Sequence, residues 1–262
     1  MSRRGRAAAA LSSMLALAPL GGVTHAHSMN GSGDGPANTS SEAAPFGPPV
    51  DDQHFWSHVS LDQLEARVGS SGAALRWDAE AWAGPDAWRV VVRSEGQRSP
   101  EGRVEDGQLE ALFSKPVTAY WDVQAGGRYD LDSAPGRGWA AVGVEGLAPQ
   151  FVKVGATAYI GSGGRLAGKV KLSHDQLLTN RLVLQPEAEL NLYSRDDAVR
   201  GIGSGFSDLD AGVRLRYEIT RKFAPYVGVS WERKFGRTAD FARAAGEGAS
   251  KVRLAVGVSA WF

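Results

Sequence analysis

The 262-residue chain contains no cysteine. Disulfides and thiolate metal ligands are therefore excluded, and any metal site must be built from His, Met or carboxylate. Charge of a dominant sign is also missing. Lys and Arg number 29 and so do Asp and Glu, which leaves no basic footprint for nucleic acid. No apolar run approaches the ~20 residues of a spanning helix. A chain of this composition can cross a bilayer only as a closed barrel, in which apolar residues alternate with polar ones. Histidine is scarce too, at five residues.

What is present begins with a leader. Arg3, Arg4 and Arg6 precede a mostly apolar stretch from Ala7 to Leu20, and Thr24-His25-Ala26 offers a cleavage spacing. Residues 1–26 are expected to be a signal peptide, whose loss shifts the formal charge from zero to −3. Residues 27–53 are rich in Gly, Ser, Pro and Asn and carry few aliphatic side chains. They bury too little surface to offset their ordering entropy, and are expected to be a disordered periplasmic tail.

From Phe55 onward the hydrophobic period is two, not 3.6. Val252, Leu254, Val256, Val258, Ala260 and Phe262 share one face of the last segment, against Lys251, Arg253, Ala255, Gly257, Ser259 and Trp261. Leu209, Ala211, Val213, Leu215 and Tyr217 alternate with Asp210, Gly212, Arg214, Arg216 and Glu218. Each segment thus has one wet face and one apolar face. Several segments exceed ten residues, longer than soluble strands and matched to a tilted membrane crossing. The pattern predicts an all-β fold: a transmembrane antiparallel up-and-down β-barrel over 54–262. About twelve strands are expected, near 58–68, 73–83, 87–97, 104–114, 117–130, 137–146, 150–161, 164–174, 180–195, 206–220, 223–236 and 250–262.

The connections mostly alternate in length. Gly84-Pro85-Asp86, Lys115-Pro116, Ala148-Pro149 and Arg221-Lys222 are tight, whereas 98–103, 131–137, 196–205 and 237–249 are longer. This places both termini on one side, the periplasm. Val258-Ser259-Ala260-Trp261-Phe262 ends an alternating strand on an aromatic residue, the pattern read by outer-membrane assembly machinery.

The inward face carries both signs. Arg76, Asp78, Glu80, Arg93, Glu95, Arg128, Lys169, Lys171, Glu187, Glu189 and Arg214 are among the expected lumen residues. They read either as a salt-bridge network filling a narrow barrel or as a charged pore lining. His54 and His58 share a face by either helical or strand spacing and are candidate metal ligands, balanced against a role as interfacial His beside aromatic residues. Cleavage after Ala26 would expose His27 as the mature N-terminus, which either offers an α-amine and an imidazole to Cu(II), with the Met29 thioether suited to Cu(I), or is an incidental part of a polar tail.

Long ordered motifs resemble the copper resistance protein B family. They include Leu61-Asp62-Gln63-Leu64-Glu65, Trp77-Asp78-Ala79-Glu80-Ala81-Trp82-Ala83-Gly84 and Gly126-Gly127-Arg128-Tyr129-Asp130. Leu182-Val183-Leu184-Gln185-Pro186-Glu187 and Phe223-Ala224-Pro225-Tyr226-Val227-Gly228 continue the likeness, which runs from about residue 51 to Phe262. The resemblance implies an outer-membrane barrel that binds copper ions and helps sequester or export them, without catalysis, beside a periplasmic multicopper oxidase. Many members carry a long Met- and His-rich segment before the barrel, for which this chain has only His27-Ser28-Met29. Two other readings compete. One is a general narrow pore or structural barrel with no metal. The other is an outer-membrane hydrolase, disfavoured because His174 falls on the periplasmic side of the expected topology and His54 and His58 precede the barrel.

Overall fold

The computed structural model describes residues 54–70, 72–100, 102–131 and 136–262. The expected signal peptide and tail, with His27 and Met29, lie outside the described residues.

Twelve long strands form one sheet: β1 (Trp56–Gly69), β2 (Gly72–Gly84), β3 (Arg89–Arg98), β4 (Val104–Pro116), β5 (Trp121–Asp130), β6 (Arg137–Ala148), β7 (Val152–Gly161), β8 (Arg165–His174), β10 (Leu182–Tyr193), β11 (Gly205–Tyr217), β12 (Phe223–Lys234) and β13 (Ser250–Trp261). The two-residue strand β9 (Gln176–Leu177) only extends the β8–β10 turn. Each long strand pairs antiparallel with the next, and β13 pairs with β1, so the barrel closes without a free edge. The last rung is Phe262, whose backbone exchanges hydrogen bonds of 2.9 and 3.1 Å with Val59. Removing Phe262 should cost about 0.5–1.5 kcal/mol per lost bond at this closing seam. A lower fraction of heat-modifiable, folded barrel in the membrane would register the loss.

Period two is realised as two environments. Val90 and Val92 on β3, Val213 and Leu215 on β11, Val227 and Val229 on β12, and Val252, Leu254 and Val256 on β13 all point outward and stay exposed. A soluble barrel would cover or replace such a continuous apolar wall, whereas hydrocarbon requires it. Exposed aromatic residues flank the band. Trp56, Trp88, Phe113, Tyr120, Phe151 and Phe262 lie at the end that holds Phe262, called here the terminal end, and Tyr129, Phe206 and Trp231 lie toward the other. Amphipathic rings at both rims fit the polar–apolar boundary of a bilayer.

Three local features depart from the expected pattern. β5 starts at Trp121 rather than 117, because the amides of Val117 and Thr118 both donate to the Trp121 carbonyl and close a turn, which the Tyr120 amide donating to Thr118 Oγ1 reinforces. A register shift between Leu61 and Gln63, opposite Ala79 and Asp78, makes Asp62 the extra residue of a β-bulge. The bulge switches parity, so Ser60 and Gln63 are both buried inward despite their odd spacing. Finally, the long connection before β13 folds into α1 (Gly236–Ala244), whose buried residues are Thr238, Ala239 and Ala242. Alanines favour the helix there, and one turn of spacing brings Thr238 and Ala242 to the same face.

Candidate functional site

The site is the lumen. Its middle is crossed by ion pairs between strands on opposite walls. Lys171 on β8 contacts Asp78 on β2, and Lys169 on β8 contacts Glu95 on β3. At the β1 wall, Glu65 accepts from Arg67 at 2.7 Å and from two nitrogens of Arg214 at 2.8 and 2.9 Å. Arg67 reaches on to Asp210 at 2.6 Å, and Gln63 donates to Glu187 at 2.9 and 3.0 Å. Glu65 and Arg67 are 0% and 1% exposed. Full burial of charges is tolerated only when each is paired and hydrogen-bonded, as here. Asp78, Glu95, Lys169, Lys171, Glu187, Glu189 and Arg214 thus occupy the lumen as expected. Gln63, Glu65 and Arg67 were missed, because their inward aim depends on the Asp62 bulge. The shift from polar residues at 58, 60 and 62 to polar residues at 63, 65 and 67 was its signal.

Two cavities flank this layer. A vestibule of about 590 Å³ includes His58, Trp82, Asp175 and Trp261 near the terminal end. Its lining carries eight carboxylates (Asp62, Asp78, Glu80, Glu95, Glu110, Glu145, Asp175, Glu187) and five bases (Arg93, Lys153, Lys169, Lys171, Arg216), a surplus of three negative charges. Low-dielectric walls focus such a field, so the vestibule favours cations. Beyond it lies a chamber of about 100 Å³. Glu95, Gln108 and Lys169 line both cavities, which makes the Glu95–Lys169 pair part of the partition between them.

The far end is covered. The connection between β10 and β11 turns back at Asp197, whose backbone bridges Ile202, and Arg200, Gly201 and Ile202 line the chamber. Asp197 Oδ2 accepts from Arg137 at 2.8 Å, Arg165 at 2.9 Å and Arg200 at 3.3 Å. Burial pushes the Asp197 carboxyl up, but hydrogen bonds from Arg165 and Arg200 and the charges of Arg137 and Arg200 outweigh it and hold the carboxyl below its usual range. The lowered value means that the contribution is complete at neutral pH and is lost only as pH falls through that value.

His58 lines the vestibule with its ring 5.8 Å from that of Trp82, while His54 precedes β1 with its ring 4.3 Å from that of Trp56. Among the described residues no group of three or more His, Asp or Glu side chains converges on a metal position. His174 lies apart, near the Phe151 carbonyl at 3.4 Å.

Comparison with known proteins gives a consistent set of matches. The family model described as copper resistance protein B precursor matches residues 55–262. A copper resistance protein B homolog of Pseudomonas syringae pv. tomato is 41% identical over 252 residues, covering 91% of this chain and 85% of that protein. Copper resistance protein B of Escherichia coli is 43% identical over 204 residues, covering 78% of this chain and 69% of that protein. Among solved structures, a NanC porin aligns with a TM-score of 0.49 at 16% identity, over 78% of this chain and 99% of that one.

Proposed function

Because the chain belongs to the copper resistance protein B family, we propose that it binds copper ions at the outer membrane and helps to sequester or export them. Its copper-resistance role follows from the family; the manner of handling is our reading. The observation that carries it is the acid-surplus vestibule, a cation-attracting cavity inside a membrane barrel that lacks any thiolate. In this reading residues 1–26 are a signal peptide removed on export, and residues 27–53 are a tail in the periplasm. Copper arriving there meets His58 at the vestibule, with His54 beside the mouth and His27 and Met29 on the tail as further ligands. Copper is cargo rather than a catalytic cofactor, a periplasmic multicopper oxidase is the expected neighbour, and the protein is not an enzyme.

The purified mature protein should bind copper at no more than a few sites per chain in a calorimetric titration. Replacing His54 and His58 by Ala should weaken that binding by roughly tenfold or more, about 1.4 kcal/mol. The competing reading is a narrow barrel without a metal. Titration with no copper uptake would establish that competitor, and unchanged affinity in the His variants would remove His54 and His58 as ligands.

A further inference from the structure

We propose that the β10–β11 connection and α1 form a hinged lid over the far mouth of the barrel, latched by Asp197 to the rims of β6 and β8. The inference concerns the barrel itself and stands whether or not copper is the cargo.

The reach of the connection is the first observation. It leaves the wall at β10, yet Asp197 is held by Arg165 at the start of β8 and Arg137 at the start of β6. β6 lies three places round the sheet from β10, roughly 14 Å at the usual strand spacing, so the segment bends across the opening instead of standing up from its own strands. A single carboxylate thus ties three separate segments, with Arg200 of the same connection as its third donor.

The second observation is how α1 joins this segment. Thr238 Oγ1 accepts from the Gly203 amide at 2.8 Å and lies 3.0 Å from Ser207 Oγ. A Cβ at Gly203 would stand 2.5 Å from the Thr238 backbone nitrogen, so only glycine lets the two backbones approach this closely. Arg237 adds an ion pair to Asp196 at 2.7 Å. The helix and the connection therefore move together, and Ser207 of β11 is sealed beneath them at 1% exposure.

The third observation is what would hold the lid if the latch were lost. Beside it, Thr238 Oγ1 lies 3.0 Å from Ser207 Oγ on β11 and Arg195 donates to the Gly163 carbonyl at 3.2 Å, single hydrogen bonds that each contribute about 0.5–1.5 kcal/mol. The wall, by contrast, is continuous sheet. Opening is thus confined to the lid, a local unit of low stability on a rigid frame.

Absence of native cysteine makes the test direct. Ser207→Cys places a single thiol beneath the lid, to be probed with a charged, membrane-impermeant methanethiosulfonate on the folded, full-length mature protein. With the latch intact, labelling should be slow. Adding Asp197→Ala should speed it roughly tenfold or more as local opening becomes easier. Arg165→Ala, at a partly exposed rim position that spares the fold, should give a smaller rise in the same direction. Heat-modifiable migration checks that each variant is a closed barrel. Fast labelling in the otherwise native chain, or equally slow labelling in both latch variants, would overturn the proposal.

Discussion

Replacing Glu65 by Gln should lower the unfolding free energy of the barrel by about 3–5 kcal/mol, the loss expected when one member of a buried ion network is neutralised. Glu65 is fully buried and accepts from both Arg67 and Arg214. Its loss leaves two guanidinium groups facing one another with fewer acceptors, and water does not reach them to compensate. Arg67 retains Asp210, and Arg214 retains Gln63. The remaining partners therefore soften the loss without cancelling it. Because the three residues share one network, Glu65→Gln combined with Arg214→Gln should cost less than the sum of the two single changes. Urea unfolding of protein reconstituted in lipid vesicles measures both quantities. A loss below about 1 kcal/mol for Glu65→Gln would show that this layer is hydrated, since exposed ion pairs contribute no more than that.

The second large effect lies on the opposite face of the wall. Val229→Arg should destabilise the barrel by about 2–4 kcal/mol in a bilayer, the cost of an arginine facing lipid near the midplane. Val229 sits in the middle of β12, between Val213 of β11 and Leu254 of β13, and all three are exposed. On a water-soluble barrel the same change at a half-exposed valine would stay within about 0.5 kcal/mol and would aid solubility. The experiment compares unfolding in vesicles for Val229→Arg and for Ser230→Arg, its inward neighbour. An unchanged stability for Val229→Arg would contradict the lipid-facing assignment of the entire outer row.

The His58 and Glu65 regions show how far local pattern carries. His58 was visible as a polar residue at the start of the first strand, and it lines the vestibule. Glu65 closes the Leu61–Glu65 motif, but its inward aim is not legible there, because a strict period of two cannot anticipate an extra residue at Asp62. A similar limit applied to α1. Residues 236–244 read as the end of a strand followed by a loop, since a nine-residue helix has little stability alone and forms here against Gly203 and Ser207.

By itself the amino-acid order determined which segments are the long strands, which face meets lipid wherever the period of two runs unbroken, and that the strands close into an up-and-down barrel. These outcomes depend on neighbours one or two residues apart and on the bilayer, whose demands are the same for every strand. Only the tertiary structure decided which charges meet. Lys171 finds Asp78 from 93 residues away, Arg214 finds Glu65 from 149, and Asp197 gathers arginines from β6 and β8. Such pairings depend on barrel circumference, stagger and the bulge in β1, which are properties of the closed sheet and not of any one stretch of chain.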